Sequence, residues 1–215
     1  MTGSEHYSVR ANRHLHPHDG RGPLSVDDKA QTFLRHLEPL QGALETYCRR
    51  SLRDRNEVAD ALQSAIATSF RDFDVYVEGT NFQAWIFRYV SYEILNRNRA
   101  AERRQYVGVP TESLAAEGTG VDESLESAFD SLLRDPEVIM EQCDEALAMA
   151  IRELTEMERQ ALLLRAIGEF KYREIAEILE VPVGTVMSHL SRGRDRIRRR
   201  LAEFARDLGL LRDEG

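Results

Sequence analysis

An all-α protein built as two small helical domains joined by an acidic linker is the fold class this sequence predicts, and three observations carry it. Apolar residues recur at three- and four-residue spacing from Asp27 to about Asn98, and again from Val138 onward. Between them, from Val107 to Glu137, Pro110, Gly118, Gly120 and Pro136 break regularity and acidic side chains face a single Arg134. Near the C-terminus, two helical patterns meet at a short break, Glu180-Val181-Pro182.

Met1 to about Leu24 is polar, rich in Gly, His and Arg, and carries no sustained apolar period, so residues 1–24 are expected to be a disordered tail. The histidines at 14, 16 and 18 lack the supporting partners that metal sites use, and no metal site is expected there. The first domain spans 25–106. Phe33, Leu37, Leu40, Leu44 and Tyr47 form one apolar stripe, and Val58, Leu62, Ile66 and Phe70 form a second. After a break at Val77-Glu78-Gly79-Thr80, a third helix begins near Asn81 with Phe82, Trp85, Ile86, Tyr89 and Ile94, and Thr80 or Asn81 suits its N-cap. Phe82 and Trp85 are read as core, whereas Tyr76 lies in the break. The linker covers 107–137, with one short helix expected around Leu125 to Leu133.

The second domain spans 138–206 and leaves a tail at 207–215. Ile139, Leu147, Ala150, Ile151 and Leu154 give its first helix; Thr155 with Glu158 forms a capping box for the next, and Gly168 ends that one. Ile175, Ala176 and Leu179 then line a helix, and Val186, Leu190 and Ile197 line the last. A helix, a tight turn and a helix result. Thr185, Ser188, His189 and Arg192 occupy the outward face near the start of the last helix, where a recognition helix meets base edges in the major groove. Arg194, Arg196, Arg198, Arg199 and Arg200 follow with only Asp195 opposing them, which suits phosphate contacts. The competing reading is an ordinary helical hairpin with a solvated basic end.

These residues carry a resemblance. Leu154-Thr155, Glu158-Arg159, Tyr172-Arg173-Glu174-Ile175-Ala176, Val181-Pro182-Val183-Gly184-Thr185-Val186 and Ser188-His189-Leu190-Ser191-Arg192-Gly193-Arg194 resemble the promoter-reading domain of bacterial sigma factors of the extracytoplasmic-function (ECF) group of the sigma-70 family. Asp60-Ala61-Leu62-Gln63 and Asn81-Phe82-Gln83-Ala84-Trp85-Ile86-Phe87-Arg88 resemble two signatures of that family's N-terminal domain. The resemblance implies contacts to a minus-35 element from Thr185, Ser188, His189, Arg192, Arg194 and Arg196. It implies minus-10 recognition and melting by Tyr76, Thr80, Asn81, Arg88 and Arg97, and docking on core RNA polymerase by Asp60, Gln63, Ala67 and Phe70. The linker reads as an acidic spacer, and the resemblance implies, without excluding that, a segment that threads polymerase channels as a phosphate mimic. Three positions leave the family's pattern: Glu180 where a turn glycine is usual, His189 where many relatives carry Arg, and Tyr92 where Asn is frequent. A left-handed backbone at Glu180 costs about 1–2 kcal/mol, which predicts a slightly reshaped turn.

The 215 residues are 42% hydrophobic and 31% charged with a net charge of −8, which excludes a protein that coats nucleic acid indiscriminately. Cys48 and Cys143 lack the spacing of a zinc or redox motif and are expected to be reduced, buried thiols. No signal peptide or membrane-spanning run is visible, so a cytoplasmic protein without membrane insertion is expected. No nucleophile–base pair, Gly-rich phosphate loop or metal-ligand cluster appears: an enzyme is not expected, nor a cofactor. With no long heptad, the chain is expected to be a monomer when free. The resemblance implies core RNA polymerase and promoter DNA as partners, and an anti-sigma factor as a further one. Two other readings compete: a stand-alone helix-turn-helix regulator acting on operator DNA without polymerase, and a sigma mimic that sequesters a regulator.

Overall fold

A computed structural model describes residues 26–105 and 141–207, with side chains over 27–104 and 147–201. The N-terminal tail, the whole linker with its expected short helix, and the tail after 207 lie outside the described residues, as does the side chain of Cys143.

The described residues form eight α-helices and no strand. The N-terminal half contains α1 (Val26–Leu37), α2 (Gln41–Ser51), α3 (Val58–Arg71) and α4 (Phe82–Gln105); the C-terminal half contains α5 (Glu141–Arg152), α6 (Glu156–Ile167), α7 (Tyr172–Leu179) and α8 (Val183–Asp207). Pro39 sits in a 3₁₀ turn, Glu38–Leu40, that joins α1 to α2 and lets one apolar stripe run across both. Phe33, Leu37, Leu44 and Tyr47 are buried along it, and Leu40 is half-buried.

The stripe expected on α3 needs correction. Its buried residues are Ala61, Ala65 and Ser69, while Val58, Leu62, Ile66 and Phe70 are half-buried along its flank. The cause is the close approach of α3 to α4, which small side chains permit and long ones would prevent. Helix α4 begins where expected: Asn81 Oδ1 accepts the Ala84 N–H at 3.0 Å, so Asn81 rather than Thr80 is the N-cap. Phe82, Ile86, Phe87, Val90 and Ile94 are buried along it, and Trp85 is half-buried.

In the C-terminal half, the capping box forms as read. Glu158 N–H donates to Thr155 Oγ1 at 3.4 Å, and Thr155 N–H donates back to Glu158 Oε2 at 3.1 Å. Gly168 ends α6, but not through a left-handed backbone. Its φ is −86°, and a Cβ there would lie 2.3 Å from the Phe170 ring, so the glycine makes room for that ring. Phe170 is turned inward through Glu169, whose φ is +55°.

The two halves are packed on each other: α2 lies on α6, and α4 on α7. Phe170 meets Phe87 edge-on at 5.1 Å between centroids, and Tyr47 Oη, paired with Ser91 Oγ at 2.8 Å, also donates to Gln160 Oε1 at 3.5 Å. Asn98 ties the seam further down. Its Nδ2 donates to Ser51 O at 3.0 Å and to Glu156 Oε2 at 2.8 Å, and its Oδ1 accepts from Arg53 N–H at 3.0 Å. Every polar atom of that buried amide is engaged, as burial requires. The two halves therefore share one continuous core.

Candidate nucleic-acid interface

The turn between α7 and α8 is set by Glu180. It adopts the left-handed conformation (φ 55°, ψ 43°), and the Val181 N–H closes back on Ala176 O at 3.0 Å, a Schellman-type end. The expected reshaping of the turn is thus absent; the chain takes the glycine conformation with a glutamate. Pro182 O then accepts the N–H groups of Thr185 (2.9 Å) and Val186 (3.2 Å), which starts α8.

Val186, Leu190 and Ile197 bury one face of α8 against α5, α6 and α7. Gly193 extends it, and a Cβ there would lie 2.6 Å from Leu162 Cδ1, so α8 and α6 approach as closely as glycine allows. On the opposite face, Ser188 is exposed, its Oγ donating to Gly184 O at 3.0 Å, and Thr185 is half-buried. Arg192 Nη2 lies 3.3 Å from His189 Nδ1. A guanidinium only donates, so Nδ1 is the acceptor and the proton of the neutral ring sits on Nε2. Partial burial, then the adjacent Arg192 charge, hold His189 below the ordinary imidazole range against the opposing pull of Glu158. His189 therefore offers one N–H donor where a relative's Arg would offer a two-pronged fork.

Glu158, only 2% exposed, organises the arginines behind this face. Arg192 Nε lies 3.7 Å from its Oε1 and Arg196 Nη1 lies 3.5 Å from its Oε2. The same carboxylate that caps α6 thus orients two cations of α8. Arg194 needs correction: it is 3% exposed, within the protein interior beside the buried stripe, and does not present its guanidinium to DNA. Arg198 pairs with Asp195 at 3.7 Å, and Arg200 with Glu153 at 3.2 Å. Sequence reading missed Met187. It is 54% exposed next to Ser188, and no period marks it because it belongs to no buried stripe.

In the N-terminal half, Tyr76 is half-buried in an aromatic cluster, stacked on Phe73 at 5.4 Å and tilted against Trp85 at 5.4 Å, with its hydroxyl donating to Thr80 O at 2.8 Å. Thr80 and Asn81 are exposed. Asn81 Nδ2 reaches across to Glu174 Oε1 of α7 at 2.8 Å, Gln83 Nε2 donates to Gly168 O at 3.0 Å, and Arg88 pairs with Glu180. Arg97 is not an open phosphate ligand. It is held by Glu93 at 2.8 Å and Glu57 at 3.5 Å, and these partners outweigh its desolvation to raise its pKa. On α3, Asp60, Gln63 and Ala67 share one exposed face, while Phe70 at its end packs edge-on to Phe33 at 5.3 Å beneath the Lys29 ammonium.

A helix-turn-helix whose second helix turns a polar, basic face outward defines a DNA-reading protein. Comparison with known proteins shows what the chain is similar to. Residues 144–197 match the family model for sigma-70, region 4. The ECF RNA polymerase sigma factor SigW of Bacillus subtilis is 26% identical over 73% of this chain and 82% of its own. The ECF RNA polymerase sigma-E factor of Haemophilus influenzae is 26% identical over 81% and 89%. Among solved structures, the sigma factor RpoE in complex with the anti-sigma factor NepR from Bartonella quintana shares the fold, with a TM-score of 0.58 at 22% identity, covering 80% of this chain and 98% of that one. CnrH in complex with the cytosolic domain of CnrY gives a TM-score of 0.55 at 19% identity over 81% and 90%. Over most of its length the chain is thus similar to sigma factors of the extracytoplasmic-function group, with the sigma-70 region 4 match confined to residues 144–197.

Proposed function

We infer that this protein is a sigma factor that binds core RNA polymerase in the cytoplasm and directs it to promoters, without catalysis of its own. The observation that carries the reading is the polar start of α8, within the region 4 match, on a chain whose similarity to an ECF sigma factor extends over both halves. Ser188, Thr185 and the Nε2–H of His189 are the groups to read a minus-35 element, and Arg192 and Arg196, oriented by Glu158, follow its phosphates. Asp60, Gln63 and Ala67 form the polymerase-facing edge of α3 with Phe70 at its end. Tyr76, Thr80, Asn81 and Arg88 meet the minus-10 strand once it unpairs, with the Tyr76–Trp85 aromatic surface available for stacking. The residues fall into a 25–106 unit, an acidic 107–137 linker and a 138–206 unit. As in the solved complex of RpoE with NepR, an anti-sigma factor is a fitting further partner.

Run-off transcription from genomic fragments tests this, using core RNA polymerase with and without the protein. New defined transcripts that require it are the expected result. DNA binding by the protein alone with no such transcripts would move the assignment to an operator-binding regulator.

A further inference from the structure

Two carboxylates of the C-terminal half rest on the face that the N-terminal half would turn to the minus-10 strand. Glu174 accepts from Asn81 Nδ2 at 2.8 Å, and Glu180 pairs with Arg88. A third oxygen, the Gly168 carbonyl, accepts from Gln83 Nε2 at 3.0 Å. An amide N–H, a guanidinium and a second amide, all within eight residues of α4 and its cap, thus receive three oxygen acceptors, two of them anionic. A phosphate backbone offers the same chemistry. The position of Glu180 sharpens the point: a left-handed turn residue is the place for glycine, and the chain carries instead a side chain long and acidic enough to reach Arg88.

We propose that Glu174 and Glu180 act as a built-in anionic ligand for the Asn81–Arg88 face, competing with promoter DNA for it until polymerase separates the two halves. This rests on the sigma-factor reading above. Glu174 has a second duty, since its other oxygen accepts the Lys171 N–H at 2.8 Å and caps α7, so Glu180 is the cleaner site to perturb. The test is anisotropy of a labelled single-stranded oligonucleotide carrying the minus-10 sequence of a promoter identified by run-off transcription, titrated with the free full-length protein. Glu180→Gln is expected to bind about two- to fivefold more tightly than wild type, the range of a half-exposed ion pair. Glu177→Gln, which removes the same charge from an exposed position on the helix that Glu180 ends, is expected to bind as wild type does. Equal binding by wild type and Glu180→Gln, with circular dichroism showing both folded, overturns the proposal. So does an equal gain from Glu177→Gln, because bulk charge then explains it. Wild-type run-off transcripts in parallel reactions report on the sigma reading separately.

A different observation supports a second assignment. Met187 projects from the reading end of α8, 54% exposed, one turn after the 38% exposed Val183. No core requires it, and its neighbour Ser188 is an exposed polar group of that turn. We propose that Met187 is a specificity-determining residue that packs on a thymine C5-methyl in the upstream element, the one apolar feature of the major groove. Replacing thymines of that element one at a time by deoxyuridine removes only this methyl. Holoenzyme affinity is expected to fall about fourfold at one position, the value of one buried methyl. Met187→Ala should abolish that sensitivity and Met187→Leu should keep it. No sensitive thymine, or a sensitivity that survives Met187→Ala, overturns the assignment, while transcription from the unmodified promoter reports on the sigma reading.

Discussion

Replacing Glu180 by Gly and by Ala separates two opposing effects at one backbone position. The left-handed conformation, φ 55° and ψ 43°, costs a residue with a Cβ about 1–2 kcal/mol, which Gly does not incur. Gly gives back about 0.4–1 kcal/mol through the larger entropy of its unfolded chain. Both variants lose the pair with Arg88; with Glu180 57% and Arg88 26% exposed, solvent screening holds that pair to about 0.2–1 kcal/mol. Glu180→Gly is therefore expected to lie within about 1 kcal/mol of wild type, the relief of strain and the two losses nearly cancelling. Glu180→Ala keeps the strain and loses the pair, so it should be less stable than Glu180→Gly by about 1 kcal/mol. For a chain of this size that separates the two melting temperatures by about 2–4 °C. Thermal unfolding followed by circular dichroism, at matched pH and salt, reads the difference. An alanine variant as stable as the glycine variant would refute the reasoning, because the turn would then not be left-handed in solution.

Three further outcomes are expected. Thr155→Ala removes the acceptor of the Glu158 N–H and should cost about 1 kcal/mol in chemical denaturation, with a slope unchanged from wild type. Gly193→Ala would gain helix propensity on an open surface; here its Cβ meets Leu162 at 2.6 Å, and a loss of about 1–3 kcal/mol is expected instead, so a stabilised variant would show that α6 and α8 are further apart. Burial pushes the Cys48 thiol up to about 12, partly opposed by Arg97, so alkylation by iodoacetamide at pH 8, mapped by peptide mass, should leave Cys48 unmodified until denaturant is added.

Local chemistry carried most of what the sequence made legible. The capping box at Thr155, the cap at Thr80 or Asn81 and the break at Glu180 each depend on a few neighbouring residues, and the structure contains all three, with Asn81 as the cap and the turn in the glycine shape instead of the reshaped one expected. What stayed hidden depends on residues far apart in the chain. Arg194 and Arg192 are alike in a charge run, but helix α8 presents one to the interior and the other to Glu158. Arg97 reads as a free cation until Glu57, forty positions away, is brought beside it. The α3 stripe misled because leucine and isoleucine signal burial more loudly than Ala61 and Ala65, although small residues are what a close helix crossing needs. Met187 gave no signal, since periodicity marks what is buried and this side chain is not.

The seam between the halves has a thermal consequence. Phe87 against Phe170, and Tyr47 beside them, are fully shielded where α2 and α4 meet α6 and α7. Parting the halves would wet those rings, and hydration of apolar surface raises the heat capacity and becomes less costly on cooling. Apolar hydration thus makes the closed form a warm-side state: a drop in temperature loosens the aromatic seam, and added sulfate tightens it.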